Sequence, residues 1–347
     1  MLKDFLDFND LKLEEWEHVF NLAGEIYDNP GKYADIYRNK ILATLFYEPS
    51  TRTRFSTQSA MYKLGGVSIG FSGTSGSSVT KGESLKDTIK MVESYADIIA
   101  IRHPKDGAAL AASLYSRVPV INAGDGKHLH PTQTLLDLFT IGRYKKFTGL
   151  NIGVCGDLLN GRTAHSLLRA FDLYSGNSFY LISSPGFKVP EKYLENLKNN
   201  NKINICEKIT DCLSELDIIY MTRLQRERID GKIERLSDDL ILNKAKLECA
   251  KKDLLIMHPL PRNEEISVEV DDDPRALYFK QAEFGVYIRM ALLIILLENK
   301  NALANCFDKT EKKCANLNCI INEKNDTSNL PQLAKSDGTC AYCEHYF

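Results

Sequence analysis

The 347-residue sequence predicts an α/β protein: two doubly wound parallel-sheet domains followed by a small C-terminal β segment. Three observations carry that expectation. Short, continuously apolar runs of strand composition alternate with helical patterns, as parallel strands buried on both faces require. The alternation pauses at the polar stretch 145–149 and restarts at Asn151, which divides the chain into two α/β halves. Four of the nine cysteines are bunched at the end, where the α/β pattern has stopped. The net charge of −2 argues against a general nucleic-acid binder, so any basic site must be local. The amino terminus has acids early and no long apolar core, so it does not read as a signal peptide. The longest apolar run, Met290 to Leu297, is far too short to span a bilayer and reads as a buried helix. A cytoplasmic protein is expected.

In chain order, residues 1–40 read as helical, with Trp16, Val19 and Phe20 on one buried face. Ile41 to Tyr47 is a strand broken by Glu48-Pro49. Phe55 to Leu64 is a helix stopped by Gly65-Gly66. Between strand and helix lies Ser50-Thr51-Arg52-Thr53-Arg54. Free backbone N–H groups and the positive helix end converge there, with three hydroxyls and two guanidinium forks suited to phosphate oxygens. The inference is a phosphate site; the bland alternative is a solvated basic helix start. Val67 to Phe71 is a further strand, and the loop 72–82 is too rich in Gly and Ser to fix one conformation cheaply. A helix starts at Glu83. Ala96 to Ile101 ends in Arg102-His103-Pro104, and Val118 to Asn122 leads to His130 and Gln133. Three successive strand ends thus deliver cations or a histidine to one crevice of an open sheet. His103 and His128 are read as scaffold. The helix from near Thr132 runs to Tyr144.

Ser-x-Arg-Thr-Arg after a strand resembles the carbamoyl-phosphate motif of the aspartate and ornithine carbamoyltransferases, and the resemblance covers roughly residues 1–300. It implies a carbamoyl-phosphate domain, 1–144, with the last helix (282–300) packing back on it, and an amino-acid domain, 145–281. It further implies that Ser50, Thr51, Arg52, Thr53, Arg54, Arg102, His130, Gln133, Leu260 and Pro261 bind carbamoyl phosphate. Ser77 and Lys81 match loop residues that complete a neighbouring subunit's site, so a homotrimer with shared sites is expected. Arg52, Thr53, Lys81, Arg102 and His130 are the candidate catalytic residues.

In the second half, Asn151 to Leu158 is a strand with a glycine-punctuated end, and Asn160-Gly161-Arg162-Thr163 opens a helix through Tyr174. A dinucleotide fold is the rival there, but its G-x-G-x-x-G fingerprint is absent. Phe179 to Ser183 and Lys202 to Cys206 are strands separated by a polar helix. Asp217 to Thr222 is a strand ending in Arg223, Leu224 and Gln225. Arg223 can grip a carboxylate through two parallel N–H···O bonds, and Gln225 adds an amide contact. The resemblance puts Arg162 on the amino-acid substrate. Two cations suit a substrate with two carboxylates. Arg223-x-Gln225, with Leu260 where ornithine enzymes carry Cys, favours L-aspartate, held by Lys81, Arg162, Arg223, Gln225 and Leu260. Arg228 is expected to support, pairing with Glu48.

Cys155, Cys206, Cys212, Cys249 and Cys306 are scattered singly and read as buried reduced thiols. Cys314, Cys319, Cys340 and Cys343 form C-x4-C and C-x2-C pairs, the pattern of a tetrahedral four-thiolate zinc site in a segment too small to fold without metal. Unrelated thiols or two disulfides are the alternative. The tail, 301–347, resembles the zinc domain of the aspartate carbamoyltransferase regulatory chain, here fused behind the catalytic body. No residues remain for a nucleotide domain. The expectation is structural zinc without a nucleotide site, bracing subunit contacts.

The reaction implied is carbamoyl phosphate plus L-aspartate to N-carbamoyl-L-aspartate and phosphate, the committed step of de novo pyrimidine biosynthesis. No catalytic metal or organic cofactor is implied, and neither membrane nor nucleic acid is an expected partner. The rivals are transfer to ornithine or another amine, and a catalytically silent scaffold.

Overall fold

The computed structural model describes residues 3–195, 197, 201–225, 236–299, 307–323 and 330–347. The chain folds into two compact units, Met1–Thr132 with Gly285–Phe347, and Gln133–Phe284.

In the first unit, Ile41–Phe46 (β1), Val67–Ser72 (β2), Ile98–His103 (β3) and Val120–Asp125 (β4) form an all-parallel sheet of order β2-β1-β3-β4. β3 and β4 are buried along their whole length, and β1 almost so, which is why their sequences read as unbroken apolar runs. The order reverses between β1 and β3, so the crevice at their carboxyl ends is the switch point where open sheets bind ligands. Thr51–Lys63 (α2) follows β1, Leu85–Val92 (α3) follows β2, and Ala108–Tyr115 (α4) follows β3.

Only part of 1–40 is helical. Leu13–Asp28 (α1) buries Trp16, Val19, Ala23 and Ile26, while Phe20 is half-buried. Ahead of it the chain is extended around Phe5 and then makes a 3-10 turn, Phe8–Asp10. Phe5 N–H donates to Val120 O, and Asn122 N–H donates to Phe5 O, both at 2.8 Å, so the amino terminus extends the sheet beyond β4. The Asp4 carboxylate accepts from Val120 N–H at 2.8 Å.

In the second unit, Asn151–Cys155 (β5), Ser178–Ile182 (β6), Lys202–Cys206 (β7), Ile218–Met221 (β8) and Leu255–Met257 (β9) form a parallel sheet of order β7-β6-β5-β8-β9. Its reversal lies between β5 and β8. Pro131–Gly142 (α5) follows β4, and Arg162–Ala170 (α6) follows β5. After β6 the described residues hold 3-10 turns at Pro185–Phe187 and Glu191–Tyr193 and then a helical Leu197; the rest of the expected polar helix falls on residues 196 and 198–200, outside the described ones. Tyr278–Glu298 (α7) starts four residues before the expected Ala282. The boundary between the compact units falls inside α5 and α7. No helix among the described residues is long and apolar enough to cross a membrane.

The tail packs against the first unit's own α4. Asp308–Lys309 (β10) and Leu333–Ala334 (β11) pair antiparallel. Cys314, Cys319, Ile320, Ile321, Cys340 and Tyr342 share a buried cluster with Ala108, Ala111, Ala112 and Tyr115. Gly107, at φ +80°, leads into α4; a Cβ there would sit 2.4 Å from Tyr342 O, so tail and helix meet at backbone distance. The scattered thiols are not uniformly buried. Cys155 and Cys212 are, Cys206 is half-buried and Cys249 is exposed on a short 3-10 turn. Cys306 lies outside the described residues.

Candidate active site and metal centre

The Ser50–Arg54 motif is not a turn ahead of a helix starting at Phe55. α2 begins at Thr51, so four motif residues form its first turn, and Ser50 is the extended N-cap residue. Arg54 N–H donates to Ser50 O at 3.0 Å. This leaves the earlier N–H groups of the turn pointing off the helix end, beside two guanidinium groups. Ser50 Oγ donates to Thr53 Oγ1 at 3.1 Å. Arg54 Nε is buried with no hydrogen-bond partner among the described residues, a donor that an anion oxygen would satisfy.

The neighbouring strand ends converge on this turn. Arg102, at the end of β3, is buried; its guanidinium contacts Ala123 O (3.4 Å) and the Glu48 carboxylate (3.3 Å). His130 is buried with Nε2 at 3.4 Å from Thr53 Oγ1. Sequence reasoning missed what holds that ring. Arg289, buried on α7, donates to Thr132 Oγ1 and to Ser56 Oγ, both at 3.1 Å. Thr132 Oγ1 lies 3.5 Å from His130 Nδ1. A guanidinium only donates, so the Thr132 hydroxyl oxygen accepts from Arg289 and is held beside the His130 ring. The signal available was a lone arginine inside an apolar helix, which is costly unless its charge is used.

Ser77 and Lys81 are not drawn to this turn within one chain. Ser77 Oγ donates to Thr74 O at 2.7 Å, and the Lys81 side chain is exposed at the end of a 3-10 turn, Ser78–Lys81. Neither bonds to residues 50–54. Gln133, in the first turn of α5, donates to Asp137 at 2.8 Å. Arg228 lies outside the described residues; among the described residues Glu48 pairs with Arg102.

In the second unit the ends of β5 and β8 are stitched together. Asp157 accepts from Asn160 N–H at 2.9 Å and from Gln225 N–H at 3.2 Å, and Gln225 Nε2 donates to Asn160 O at 2.6 Å. This sets Gln225 beside the turn that opens α6, where Arg162 is buried at the first helical position. Arg223 Nη1 donates to Leu224 O at 3.3 Å. Leu260 has φ +53° and precedes a cis bond to Pro261. Its N–H donates to His258 Nδ1 at 2.8 Å, and His258 Nε2 donates to Glu265 at 2.7 Å. Burial lowers the His258 pKa against the pull of Glu265.

The four tail sulfurs all lie within 4.8 Å of one another and are buried. Cys314 and Cys343 Sγ are 3.5 Å apart, and Cys319 and Cys340 Sγ 4.0 Å. These are free thiols rather than disulfides. A tetrahedron with metal–sulfur bonds of ~2.3 Å has sulfur–sulfur edges of about 3.8 Å, so the donor set fits a metal ion.

The carbamoyl-P binding domain family of aspartate/ornithine carbamoyltransferases matches residues 3–143, and the Asp/Orn binding domain family matches residues 148–296. The chain belongs to the aspartate/ornithine carbamoyltransferase family. Within that family it is 54% identical over 300 residues to the aspartate carbamoyltransferase catalytic subunit of Clostridium novyi (strain NT), covering 85% of this chain and 98% of the relative. The C. botulinum (strain Eklund 17B) subunit is 54% identical over 304 residues, covering 86% and 99%. The catalytic subunit of M. jannaschii aspartate transcarbamoylase superposes with a TM-score of 0.81 at 42% identity, over 87% of this chain and all of that one. The Trypanosoma cruzi aspartate transcarbamoylase, solved with N-(phosphonacetyl)-L-aspartic acid, gives 0.79 at 34% identity, over 84% and 94%.

Proposed function

We propose that the chain transfers the carbamoyl group of carbamoyl phosphate to the amine of L-aspartate, giving N-carbamoyl-L-aspartate and phosphate, the committed step of pyrimidine biosynthesis. The convergence of the Ser50–Arg54 helix start with Arg102 and His130 carries this reading. The amine nitrogen attacks the carbonyl carbon, a C–N bond forms, and the C–O bond to phosphorus breaks. Charge grows first on the carbonyl oxygen, where Thr53, Arg102 and His130 are the donors. It then passes to the leaving phosphate, for which Ser50, Thr51, Arg52 and Arg54 are the ligands. The proton lost by the amine leaves with phosphate or solvent. Gln133, Leu260 and Pro261 complete the carbamoyl-phosphate set, and Arg162, Arg223 and Gln225 hold the two aspartate carboxylates. The functional division follows the domains 1–144, 145–281 and 301–347. The test is a product assay with each acceptor: carbamoyl-aspartate is expected, and citrulline from ornithine, or no product, would overturn the reading.

Ser77 and Lys81 act in a neighbouring subunit's site, in a homotrimer. Their lack of contact with residues 50–54 supports this, as does an apolar surface leading to their loop: Phe55 and Tyr62 of α2 and Val67 and Ile69 of the edge strand β2 are exposed. A mixture of Arg52→Ala and Lys81→Gln chains, dissociated and reassembled, regains activity that neither parent has, because some hybrid sites contain both intact residues. Failure of complementation, with both parents correctly assembled, rejects sharing.

The four tail cysteines hold one structural zinc ion, with the sulfur geometry and burial as support. Metal analysis should return one zinc per chain, with Cys319→Ser losing it.

A further inference from the structure

The tail is the part of the chain that the reaction leaves unused, yet its polar contacts run to the two loops that carry the carbonyl donors. The loop after β3 directly follows Arg102 and His103. In it, Lys105 pairs with Glu323 of the tail at 3.1 Å. Asp106 N–H donates to Asn318 O at 3.1 Å, and Ile320 N–H donates to Asp106 O at 2.9 Å. The Asp106 carboxylate accepts from Asn316 Nδ2 and Asn318 Nδ2, both at 3.0 Å. The same carboxylate accepts from Lys127 N–H at 2.8 Å, so it also fastens the loop that ends in His130. That second loop is gripped again. Asp125 accepts from Gly107 N–H at 2.7 Å and from Leu129 N–H at 3.2 Å. His128 bridges Asp125 at 3.2 Å and Glu344, the residue after Cys343, at 3.4 Å. Gly126, at φ +49°, lets the backbone reach Asp106: a Cβ there would lie 1.9 Å from its Oδ1.

We infer that Asn316, Asn318, Glu323 and Glu344 make the tail an intrachain latch, acting through Asp106, Lys105 and His128, that positions Arg102 and His130 against the carbonyl oxygen. The inference rests on the carbamoyl-transfer reading. The latch residues touch no reactant; they are positioning residues. The tail contacts named above do not reach the Ser50–Arg54 turn, which takes the phosphate; that turn meets the network only through Thr53 and His130. Loosening the latch should therefore weaken recognition of the carbamoyl group and spare recognition of phosphate.

The experiment uses the full chain. Asn316→Asp sets a carboxylate against Asp106 while keeping the oxygen that accepts from Asn318 N–H (2.9 Å). Adding Asp106→Asn restores a donor–acceptor pair in the reverse sense. With one charge-assisted bond lost, Asn316→Asp should lower kcat about tenfold and raise the carbamoyl phosphate Kd several-fold. Inorganic phosphate Kd, L-aspartate KM and zinc content should stay within about twofold of wild type, and the double variant should recover most of kcat. Wild-type kcat and carbamoyl phosphate Kd in Asn316→Asp would overturn the latch, as would equal weakening of phosphate and carbamoyl phosphate. Should Asn316→Asp lose its zinc, Glu344→Gln decides by the same two Kd values. A wild-type chain that forms no carbamoyl-aspartate would fail the underlying reading instead, so the two failures are separable.

Discussion

Replacing Arg52 with alanine lowers the turnover of carbamoyl transfer by about 10²–10³-fold, the loss typical of one donor aimed at charge that develops in a transition state. Arg52 is exposed in the first turn of α2. Its removal creates no cavity, so the melting temperature should move little. Arg54 and the hydroxyls of Ser50, Thr51 and Thr53 remain to bind the ground-state phosphate. The loss therefore falls more on kcat than on KM for carbamoyl phosphate. Lysine at this position should recover only part of the rate, because a single ammonium cannot offer the guanidinium's two parallel donors. Steady-state kinetics, with thermal melts on the same preparations, check both statements. Turnover within threefold of wild type would remove the phosphate assignment.

The second large effect is on the acceptor. Arg223→Ala raises KM for L-aspartate by about 100-fold, since a bidentate, charge-assisted carboxylate contact is lost. Arg223 stands at the end of β8, on a loop pinned by the Gln225–Asn160 and Gln225–Asp157 bonds. The loop keeps its place when the side chain is cut back. Carbamoyl phosphate binding should be unchanged, because Arg223 is proposed to hold the acceptor alone. Equilibrium binding of each reactant to the variant separates the two substrates. An unchanged aspartate KM would direct attention to Arg162 and Lys81 as the cations for the acceptor.

Much of the fold was legible because parallel strands flanked by helices must be apolar along their whole length. β3 and β4 announced themselves in that way, and their ends marked the ligand crevice. The start of α2 was not legible. Ser, Thr and Arg in alternation favour a cap and a turn, and the helix begins among them only because Ser50 takes the N-cap backbone conformation. The role of Arg289 was hidden by distance along the chain: it meets Thr132 157 residues away. The extended amino terminus reads as helix until β4 is seen to lack a neighbour on one edge. The cysteine spacing pointed to the four-sulfur cluster, but no local pattern said that Asn316 and Asn318 would reach back to Asp106. Such pairings belong to the folded chain rather than to any window of sequence.

Helix α4 has one more consequence. It is alanine-rich and buried all round, with Leu114 its only exposed large apolar residue. One side is completed by tail residues far along the chain, Cys314 to Tyr342. Until that segment has folded against it, the outer face of α4 is an open apolar surface, a hazard for any folding intermediate. A variant lacking residues 307–347 would carry every proposed substrate ligand and still be prone to aggregate. The tail therefore also serves the body as a cover for an otherwise sticky helix.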